Sequence, residues 1–368
     1  MSNFSANNII GISAFYHNSS CALIQDGKIT AAAEEERFTR VKFDHRVPRN
    51  SYRYCLEQAH ARSTDVDLIA FYEEPVKKVG RIISSISDGS EKPNAILNKW
   101  SDKLHTKETL ASQLDYDGPI KFYPHHLSHA AASYALSSFE DAAFLVADGV
   151  GEWSTTTIGM VKRGKFEIID EIVFPHSLGL FYSAITSFLG FQVNSDEYKV
   201  MGLASYGTTS QLKKLREIIS LNPDGSFELD MNYFDYSTRM FSDKFIELFG
   251  IEPRSKGSEI KNIHMDIACS AQRLVEESLL ALSQRLHNLT GLDNLCLSGG
   301  VSLNCVANAK ISSQGPFKNV FIPFGAGDEG GSIGAAALAH YEHNGFKSNP
   351  ISSTAYLGPR YEGKSIQR

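Results

Sequence analysis

The sequence of 368 residues has few cysteines, and their arrangement excludes two common stabilising devices. The five cysteines are scattered along the chain, and none forms a C-x-x-C pair. This pattern argues against a disulfide framework and against a zinc ribbon. It suits a reducing compartment, so we predict a cytoplasmic location. The first residues, MSNFSANNIIGIS, also lack the basic segment and the apolar run of a signal peptide.

Neither a strong charge excess nor a long apolar run is present. Lys and Arg number 36 and Asp and Glu number 42, which gives a net charge of −6. A basic excess of the kind that binds nucleic acid is therefore absent, and we predict no nucleic-acid partner. The longest stretch without a charged side chain, residues 172–195, contains proline, histidine, serine, threonine, glutamine and asparagine. It is too polar to span a bilayer, so we predict no membrane partner.

What the sequence does contain is globular composition and a repeated pattern of strands. Hydrophobic residues make up 42% and charged residues 21%, and the length favours two domains. An apolar run at 8–13 is followed by a polar turn, a second strand, an Asp26-Gly27 turn and a third strand. The same plan returns from residue 142, with a turn at Arg163-Gly164. Gly11 and Gly27 are sixteen positions apart, as are Asp148 and Gly164. This repeat predicts a duplicated α/β protein whose glycine-rich turns face each other across a cleft.

The segment HHLSH at 125–129 is a candidate metal-binding motif. His125 and His129 are four residues apart and share one face of a helix, and His126 with His129 is a second possible pair. The plain alternative is a histidine-rich helix start without a ligand. Asp148 ends an apolar strand and Asp328 lies in a glycine-rich loop, so carboxylates are available to complete the set. Two imidazoles with carboxylates suit iron, manganese or zinc.

Three glycine-rich turns, each following an apolar strand, predict a nucleotide site. They are DGVGEWSTTT at 148–157, the LSGGVSLNCVAN segment at 297–308 and GAGDEGGSIGAAA at 325–337. Backbone N–H groups in such turns, and the N-terminus of a following helix, approach phosphates closely. Neither a P-loop motif nor a G-x-G-x-x-G after the first strand is present, which argues against the standard P-loop and dinucleotide folds.

Two further polar segments leave their function open. Residues 34–48 combine three glutamates with Arg37, Arg40, Lys42, His45 and Arg46. They either form a solvated loop or bind a phosphate, a carbamoyl group or a nucleotide. Residues 194–207 contain Glu197 and Lys199 among apolar neighbours. The alternatives here are a ligand-binding segment and a buried turn with a paired glutamate and lysine.

Seven motifs in order resemble the O-carbamoyltransferases of antibiotic, toxin and nodulation-factor biosynthesis. They are HNSSCALIQDG, EEERFTRVK, HHLSHAAASY, DGVGEW, EYKVMGLASYG, LSGGVSLNCVAN and GAGDEGGSIGAA. The resemblance runs from about Ile10 to Leu357. It implies a duplicated actin-like (ribonuclease H-like) ATPase fold of the α/β class, with two lobes and a central cleft. We place the first lobe at 1–140 with a polar insertion at about 73–118, and the second at 141–356 with an insertion at about 208–262.

The resemblance also implies a chemistry and a set of roles. Carbamoyl phosphate and ATP first give carbamoyl-adenylate, and the carbamoyl group then passes to a hydroxyl of a small-molecule acceptor. His17 matches the base that deprotonates the acceptor, and Lys42 matches a cation near the carbamoyl group. The metal, iron by resemblance, is matched by His125, His129, Asp148 and Asp328. The nucleotide is matched by Asp148, Gly149, Gly151, Glu152, Lys199, Gly299, Gly300, Asn304, Asn308 and Gly327.

One departure from the family pattern concerns length. Such proteins usually continue into an adenylate-forming domain, whereas residues 357–368 read as a linker toward one. We therefore expect this chain to carry out the transfer, with activation left to a missing domain or a separate partner protein. Two alternatives remain open: a kinase with the actin fold, and a non-catalytic, nucleotide-binding partner subunit.

Overall fold

The computed structural model describes residues 6–87, 103–347, 354–361 and 363. Part of the predicted first insertion and half of the predicted linker lie outside these residues. The first half contains a five-stranded sheet and five helices among the described residues. The strands are β1 (Asn8–Ser13), β2 (Ser20–Gln25), β3 (Lys28–Glu34), β4 (Leu68–Phe71) and β5 (Ile120–Phe122). The helices are α1 (Glu36–Thr39), α2 (Arg49–Ala59), α3 (Pro75–Ser87), α4 (Thr106–Leu114) and α5 (His125–Leu136).

The second half has its own five-stranded sheet and two small two-stranded sheets. Its strands are β6 (Asp141–Ala147), β7 (Ser154–Lys162), β8 (Lys165–Val173), β9 (Ile219–Leu221), β10 (Phe227–Leu229), β11 (Phe234–Asp235), β12 (Met240–Phe241), β13 (Asn294–Ser298) and β14 (Asn319–Phe321). Its helices are α6 (Leu178–Phe188), α7 (Glu197–Ala204), α8 (Leu212–Ile218), α9 (Asp243–Phe249), α10 (Asn262–Thr290), α11 (Cys305–Gln314) and α12 (Gly331–Asn344).

The two large sheets have the same topology. The first has the order β3-β2-β1-β4-β5, and the second has the order β8-β7-β6-β13-β14. In each sheet the first three strands in sequence are antiparallel. The fourth strand pairs in parallel with the opening strand, and the fifth pairs in parallel with the fourth. The predicted duplication and the actin-like, two-lobed α/β fold are confirmed. The domain boundaries given above stay predictions.

The predicted hairpin turns are present in both halves because their residues tolerate a left-handed backbone. Asp26 and Gly27 have φ angles of 50° and 76°, and Arg163 and Gly164 have φ angles of 47° and 73°. Two successive positive φ angles are typical of the type I′ turn that matches the twist of a hairpin.

The helices α5 and α12 cross in backbone contact and connect the halves. A side-chain carbon at Gly334 in α12 would fall 1.7 Å from the carbonyl oxygen of Ser128 in α5. A side-chain carbon at Gly11 in β1 would fall 1.8 Å from the carbonyl oxygen of Ser332. Only glycine fits such approaches. Helix α12, from the end of the second half, thus packs on the first sheet, while α5 packs on β6 and β13.

The hydrophobic core follows this exchange of helices. Successive residues of β6 point to opposite faces, as in any strand. Phe144 and Val146 join a core formed with the first sheet, α5 and α12, whereas Leu145 joins a second core with α6 and α10. The first core therefore contains side chains from both halves of the chain.

The described residues near the C-terminus lie against β3. The carbonyl oxygen of Leu357 accepts hydrogen bonds from Ala32 N at 3.2 Å and from the Tyr54 hydroxyl at 2.9 Å. This segment, β3 and the loop before α12 line a cavity of about 900 Å³. None of the helices in the described part of the chain has both the length and the apolar character needed to cross a membrane.

Candidate active site

Four buried side chains meet where the two halves join. His125 and His129 lie in the first turns of α5, Asp148 follows β6, and Asp328 lies three residues before α12. Their ligand atoms all lie within 4.8 Å of one another. The two Nε2 atoms are 3.1 Å apart, Asp148 Oδ2 lies 3.1 Å from His125 Nε2, and Asp328 Oδ1 lies 3.3 Å from His129 Nε2. The structure thus brings all four predicted metal ligands together.

The spacing of these atoms fits a single divalent ion. Ligands at 2.0–2.2 Å in a tetrahedral site are separated by about 3.3–3.6 Å, and octahedral neighbours by about 3 Å. Imidazole and carboxylate donors together suit iron, manganese or zinc. The Nδ1 atoms of His125 and His129 are buried and have no hydrogen-bond partner among the described residues. The Nε2 atoms of both histidines point into the cluster, where they can serve as metal ligands.

His126 does not belong to this cluster. Its Nδ1 lies 2.7 Å from the Thr157 hydroxyl of β7. Burial, together with the nearby His125, lowers the pKa of His126 to about 3. The alternative pair of His126 and His129 is therefore wrong, because adjacent residues on a helix point about 100° apart.

The cluster is strongly coupled electrostatically. Burial opposes charge on His125, but the carboxylates of Asp328 and Asp148 outweigh it and raise the pKa of His125 to about 9. Burial likewise opposes ionisation of Asp148, yet the histidines hold the pKa of that carboxyl well below its usual range. The metal-free cluster is thus held together by a proton on His125 between two carboxylates.

This coupling predicts that the metal-free protein loses stability at alkaline pH. The His125 pKa rises from 6.5 to about 9 on folding, so its contribution is complete below pH 6.5 and is lost as the pH rises through 9. The expected decrease in unfolding free energy is about 3 kcal/mol. Urea unfolding of chelator-treated protein between pH 6.5 and 10 measures this decrease in free energy, and His125→Gln is expected to abolish the decrease. A free energy that stays constant over this range in the unsubstituted chain would contradict the prediction.

The glycine-rich turns pack around Asp148. Its Oδ1 accepts a hydrogen bond of 2.8 Å from Gly300 N. Gly299 has a φ of 90°, and a side-chain carbon there would fall 2.3 Å from the carbonyl oxygen of Ala147. In contrast, nothing lies within 4 Å of the corresponding position at Gly149. A carbon at Gly151 would lie 3.0 Å from His125 Cδ2. The turn at 149–151 therefore combines open space with direct contact to the cluster.

Several predicted nucleotide residues have structural partners. Glu152 accepts from the backbone N–H groups of His125, at 3.0 Å, and Glu74, at 2.7 Å, and so caps α5. Asn304 caps α11 through Ala307 N and exchanges two hydrogen bonds with Gln272. Both the side-chain oxygen and the side-chain nitrogen of Asn304 therefore have protein partners. Its predicted role as a ligand for the nucleotide gains no support from its position.

The remaining predicted nucleotide residues differ in exposure, since Gly327 is buried, Asn308 half-buried and Lys199 exposed. Asn308 donates from its amide to the Ser302 carbonyl oxygen at 2.7 Å, and Gly327 N donates to Glu329 Oε1 at 3.0 Å. Lys199 pairs with Asp196 at 2.7 Å. The alternative in which Lys199 pairs with Glu197 is wrong, because Glu197 accepts instead from Ser183 and from the Asn194 backbone.

The two predicted catalytic residues differ in position. His17 lies in the turn between β1 and β2, and its Nε2 is 3.8 Å from Asp328 Oδ2. Lys42 has a side chain that is 76% exposed and pairs with Glu36 at 3.3 Å. The structure therefore places His17 beside the cluster, and it shows no contact of Lys42 with any of the four ligands. The neighbouring cations Arg37 and Arg46 are also paired with carboxylates of their own loop.

The family model for the N-terminus of carbamoyltransferases matches residues 8–337. The chain belongs to the carbamoyltransferase family. Nodulation protein NolNO of Sinorhizobium fredii is 32% identical over 94% of this chain and 49% of that protein. An uncharacterised protein of Synechocystis is 41% identical over 98% of this chain and 62% of its own length. The chain thus spans about half to three fifths of these curated relatives.

Solved structures give more distant similarities. Full-length HypF in its phosphate- and nucleotide-bound form is 15% identical, with a TM-score of 0.49, over 94% of this chain and 56% of that one. Component A of the (R)-2-hydroxyglutaryl-CoA dehydratase of Acidaminococcus fermentans is 15% identical, with a TM-score of 0.45, over 92% of this chain and 99% of that one.

Sequence reasoning missed further buried charged residues near the cluster. Glu73, two residues after the end of β4, forms buried ion pairs with Lys78 and Lys103. Lys78 Nζ also lies 5.1 Å from the ring centre of Tyr16, whose ring is 4.5 Å from that of His17. A polar residue at the end of a parallel strand was a usable signal for Glu73. The lysines carried no such signal, because nothing in the polar insertion distinguishes a buried lysine from an exposed one.

Proposed function

We propose that this chain transfers a carbamoyl group from carbamoyl-adenylate to a hydroxyl of a small-molecule acceptor. The observation that carries the proposal is the position of His17, whose Nε2 lies 3.8 Å from a carboxylate of the buried cluster. A base thus adjoins a site with the donor set of a divalent metal. Two glycine-rich turns border the same cluster, through Gly300 and Gly151.

The proposed reaction uses these groups in one displacement. His17 Nε2 accepts the proton of the acceptor hydroxyl, which is a poor nucleophile until it is deprotonated. The acceptor oxygen forms a bond with the carbamoyl carbon. The bond between that carbon and the phosphate oxygen breaks, so AMP leaves and a carbamate ester remains. Backbone N–H groups of the turns at 149–151 and 299–300 are proposed to bind the nucleotide.

The four clustered side chains would hold the metal, and iron is the ion that we propose. Such an ion would supply a Lewis acid that stabilises negative charge on the carbonyl oxygen. Binding of such an ion requires neutral imidazoles and ionised carboxylates. The cluster meets this requirement once His125 releases its proton.

The donor is proposed to form elsewhere, from carbamoyl phosphate and ATP. The longer curated relatives have room for a second domain of that kind, and a separate protein is the other possible source. Lobe boundaries near residues 140 and 356, and a location in the cytoplasm, belong to the same proposal. Lys42 and Lys199 are retained in it as cations that a bound substrate could recruit from the surface.

The test supplies metal-loaded protein with carbamoyl-adenylate and a panel of hydroxylated acceptors. Mass spectrometry should detect acceptors that have gained one carbamoyl group, together with release of AMP. Water also serves as an acceptor, so slow release of AMP without any added acceptor is expected and should depend on His17. A phosphorylated acceptor formed from ATP would favour an actin-fold kinase instead. Binding of nucleotide without any AMP release would favour a non-catalytic subunit.

A further inference from the structure

A chain of hydrogen bonds leads away from His17 on the side opposite the cluster. His17 Nδ1 lies 2.9 Å from Asn18 Oδ1. The Asn18 amide nitrogen donates to Glu34 Oε1 at 3.1 Å. Arg37 donates to the other carboxylate oxygen of Glu34 from two nitrogens, at 2.7 and 3.1 Å. The four residues therefore form a continuous series from the turn after β1 to the end of β3 and the start of α1.

The two charged members fix the direction of every bond in this series. A guanidinium only donates hydrogen bonds, and a carboxylate that faces it only accepts them. Asn18 must therefore turn its NH₂ group toward Glu34 and its carbonyl oxygen toward His17. That oxygen can only accept, so Nδ1 of His17 carries the hydrogen. In the neutral imidazole the lone pair is then on Nε2, the atom that faces Asp328 at 3.8 Å.

We propose that Asn18 and Glu34 are positioning residues that hold His17 in the Nδ1–H tautomer. The inference rests on the proposed function, in which Nε2 takes the proton of the acceptor. Without the series, the imidazole could place its hydrogen on either nitrogen, and the Nε2–H form cannot act as the base. Asn18 and Glu34 thus act through His17 and do not contact the reacting atoms themselves.

Asn18 has a second possible reason to be present, and the test must separate the two. Its φ is 52°, a left-handed conformation that asparagine and glycine tolerate better than other residues. Asn18→Gly keeps this backbone preference and removes only the amide. Asp115 has the same φ of 52° at the end of α4 and is exposed, so Asp115→Gly is a matched control for the backbone change.

The first measurement needs neither donor nor acceptor. In the full chain loaded with zinc, nitrogen-15 NMR of the histidine rings reports which nitrogen carries the hydrogen, and His17→Gln identifies the signal. We expect His17 as Nδ1–H in the unsubstituted chain and as a mixture of tautomers in Asn18→Gly. A dominant Nε2–H form in the unsubstituted chain, or unchanged shifts in Asn18→Gly, would overturn the proposal. Because no substrate is present, either result is independent of carbamoyl transfer.

The second measurement reverses the polarity of the series. Asn18→Asp alone should lower kcat, because two carboxylates then face each other. Combined with Glu34→Gln, the new amide can donate to the carboxylate at position 18 and accept from Arg37. We expect the double variant to recover the Nδ1–H signal and most of kcat.

Kinetics provide the quantitative comparison between these variants. Asn18→Gly should lower kcat on the order of 10-fold with an unchanged KM for carbamoyl-adenylate, as expected for one hydrogen bond. Asp115→Gly should leave both constants unchanged. A double variant no better than either single variant would show that the series does not act as proposed. If no chain transfers carbamoyl groups but the NMR result holds, the proposed function fails and the tautomer assignment stands.

Discussion

Replacing His129 by alanine is expected to prevent metal binding at the proposed centre and to abolish the proposed transfer. His129 Nε2 lies 3.1 Å from His125 Nε2 and 3.3 Å from Asp328 Oδ1, so its loss leaves an incomplete donor set. Residues that only support a ligand change metal affinity about 10–100-fold, and a ligand itself should therefore cost at least about 100-fold. Metal analysis after dialysis against a metal buffer measures the binding, and AMP release measures the transfer.

The matched control for this variant is His126→Ala. His126 is the neighbour of His125 on the same helix, is equally buried, and points to Thr157 instead of the cluster. The His126→Ala protein should have a lower free energy of unfolding but retain one equivalent of metal. A His129→Ala protein that retained one equivalent of metal with the same affinity would show that the four residues do not form the centre.

His17→Gln is expected to lower kcat about 10²–10⁴-fold while leaving the metal in place. Glutamine has a similar size and can hydrogen-bond, but it cannot accept a proton at neutral pH. His17 is not among the four clustered residues, and its side chain is 26% exposed, so neither metal content nor folding should change. The amounts of AMP and of carbamoylated acceptor in samples quenched at successive times give kcat. Metal analysis of the same protein gives the occupancy of the metal site.

His45→Gln is the control for that substitution. The side chain of His45 is exposed, and its backbone carbonyl oxygen accepts a hydrogen bond from Phe15 N. It should transfer at the rate of the unsubstituted chain. If His17→Gln transferred at that rate as well, the base would have to be another group, and the tautomer proposed for His17 would have no catalytic consequence.

The sequence was sufficient to predict the duplicated fold and the meeting of His125, His129, Asp148 and Asp328 for simple geometric reasons. A hairpin is local, so the turns at Asp26-Gly27 and Arg163-Gly164 revealed the duplication directly. Two histidines four apart share a helix face, and an aspartate after a buried strand lies at the sheet edge where sites form. Such features depend on spacing within one element or on the end of a strand.

The partners of the other site residues depend on contacts between distant segments, which spacing does not reveal. Asn304 is bound to Gln272, thirty-two residues earlier, and Glu152 caps a helix twenty-seven residues earlier. Both resemble ligand-binding residues in sequence because asparagine and glutamate serve caps and ligands equally well. The series of hydrogen bonds from His17 through Asn18 to Glu34 was missed for the same reason, since it depends on how strands β2 and β3 pair.

The exchange of helices between the halves has a consequence for how the chain folds. Helix α12 covers β1, yet more than three hundred residues separate the two in sequence. Contacts of such long range form late, since the entropy of closing so large a loop must be overcome first. The first sheet therefore has one face exposed until the chain is made as far as Asn344. The two lobes, although related by duplication, are expected to complete folding together as one cooperative unit.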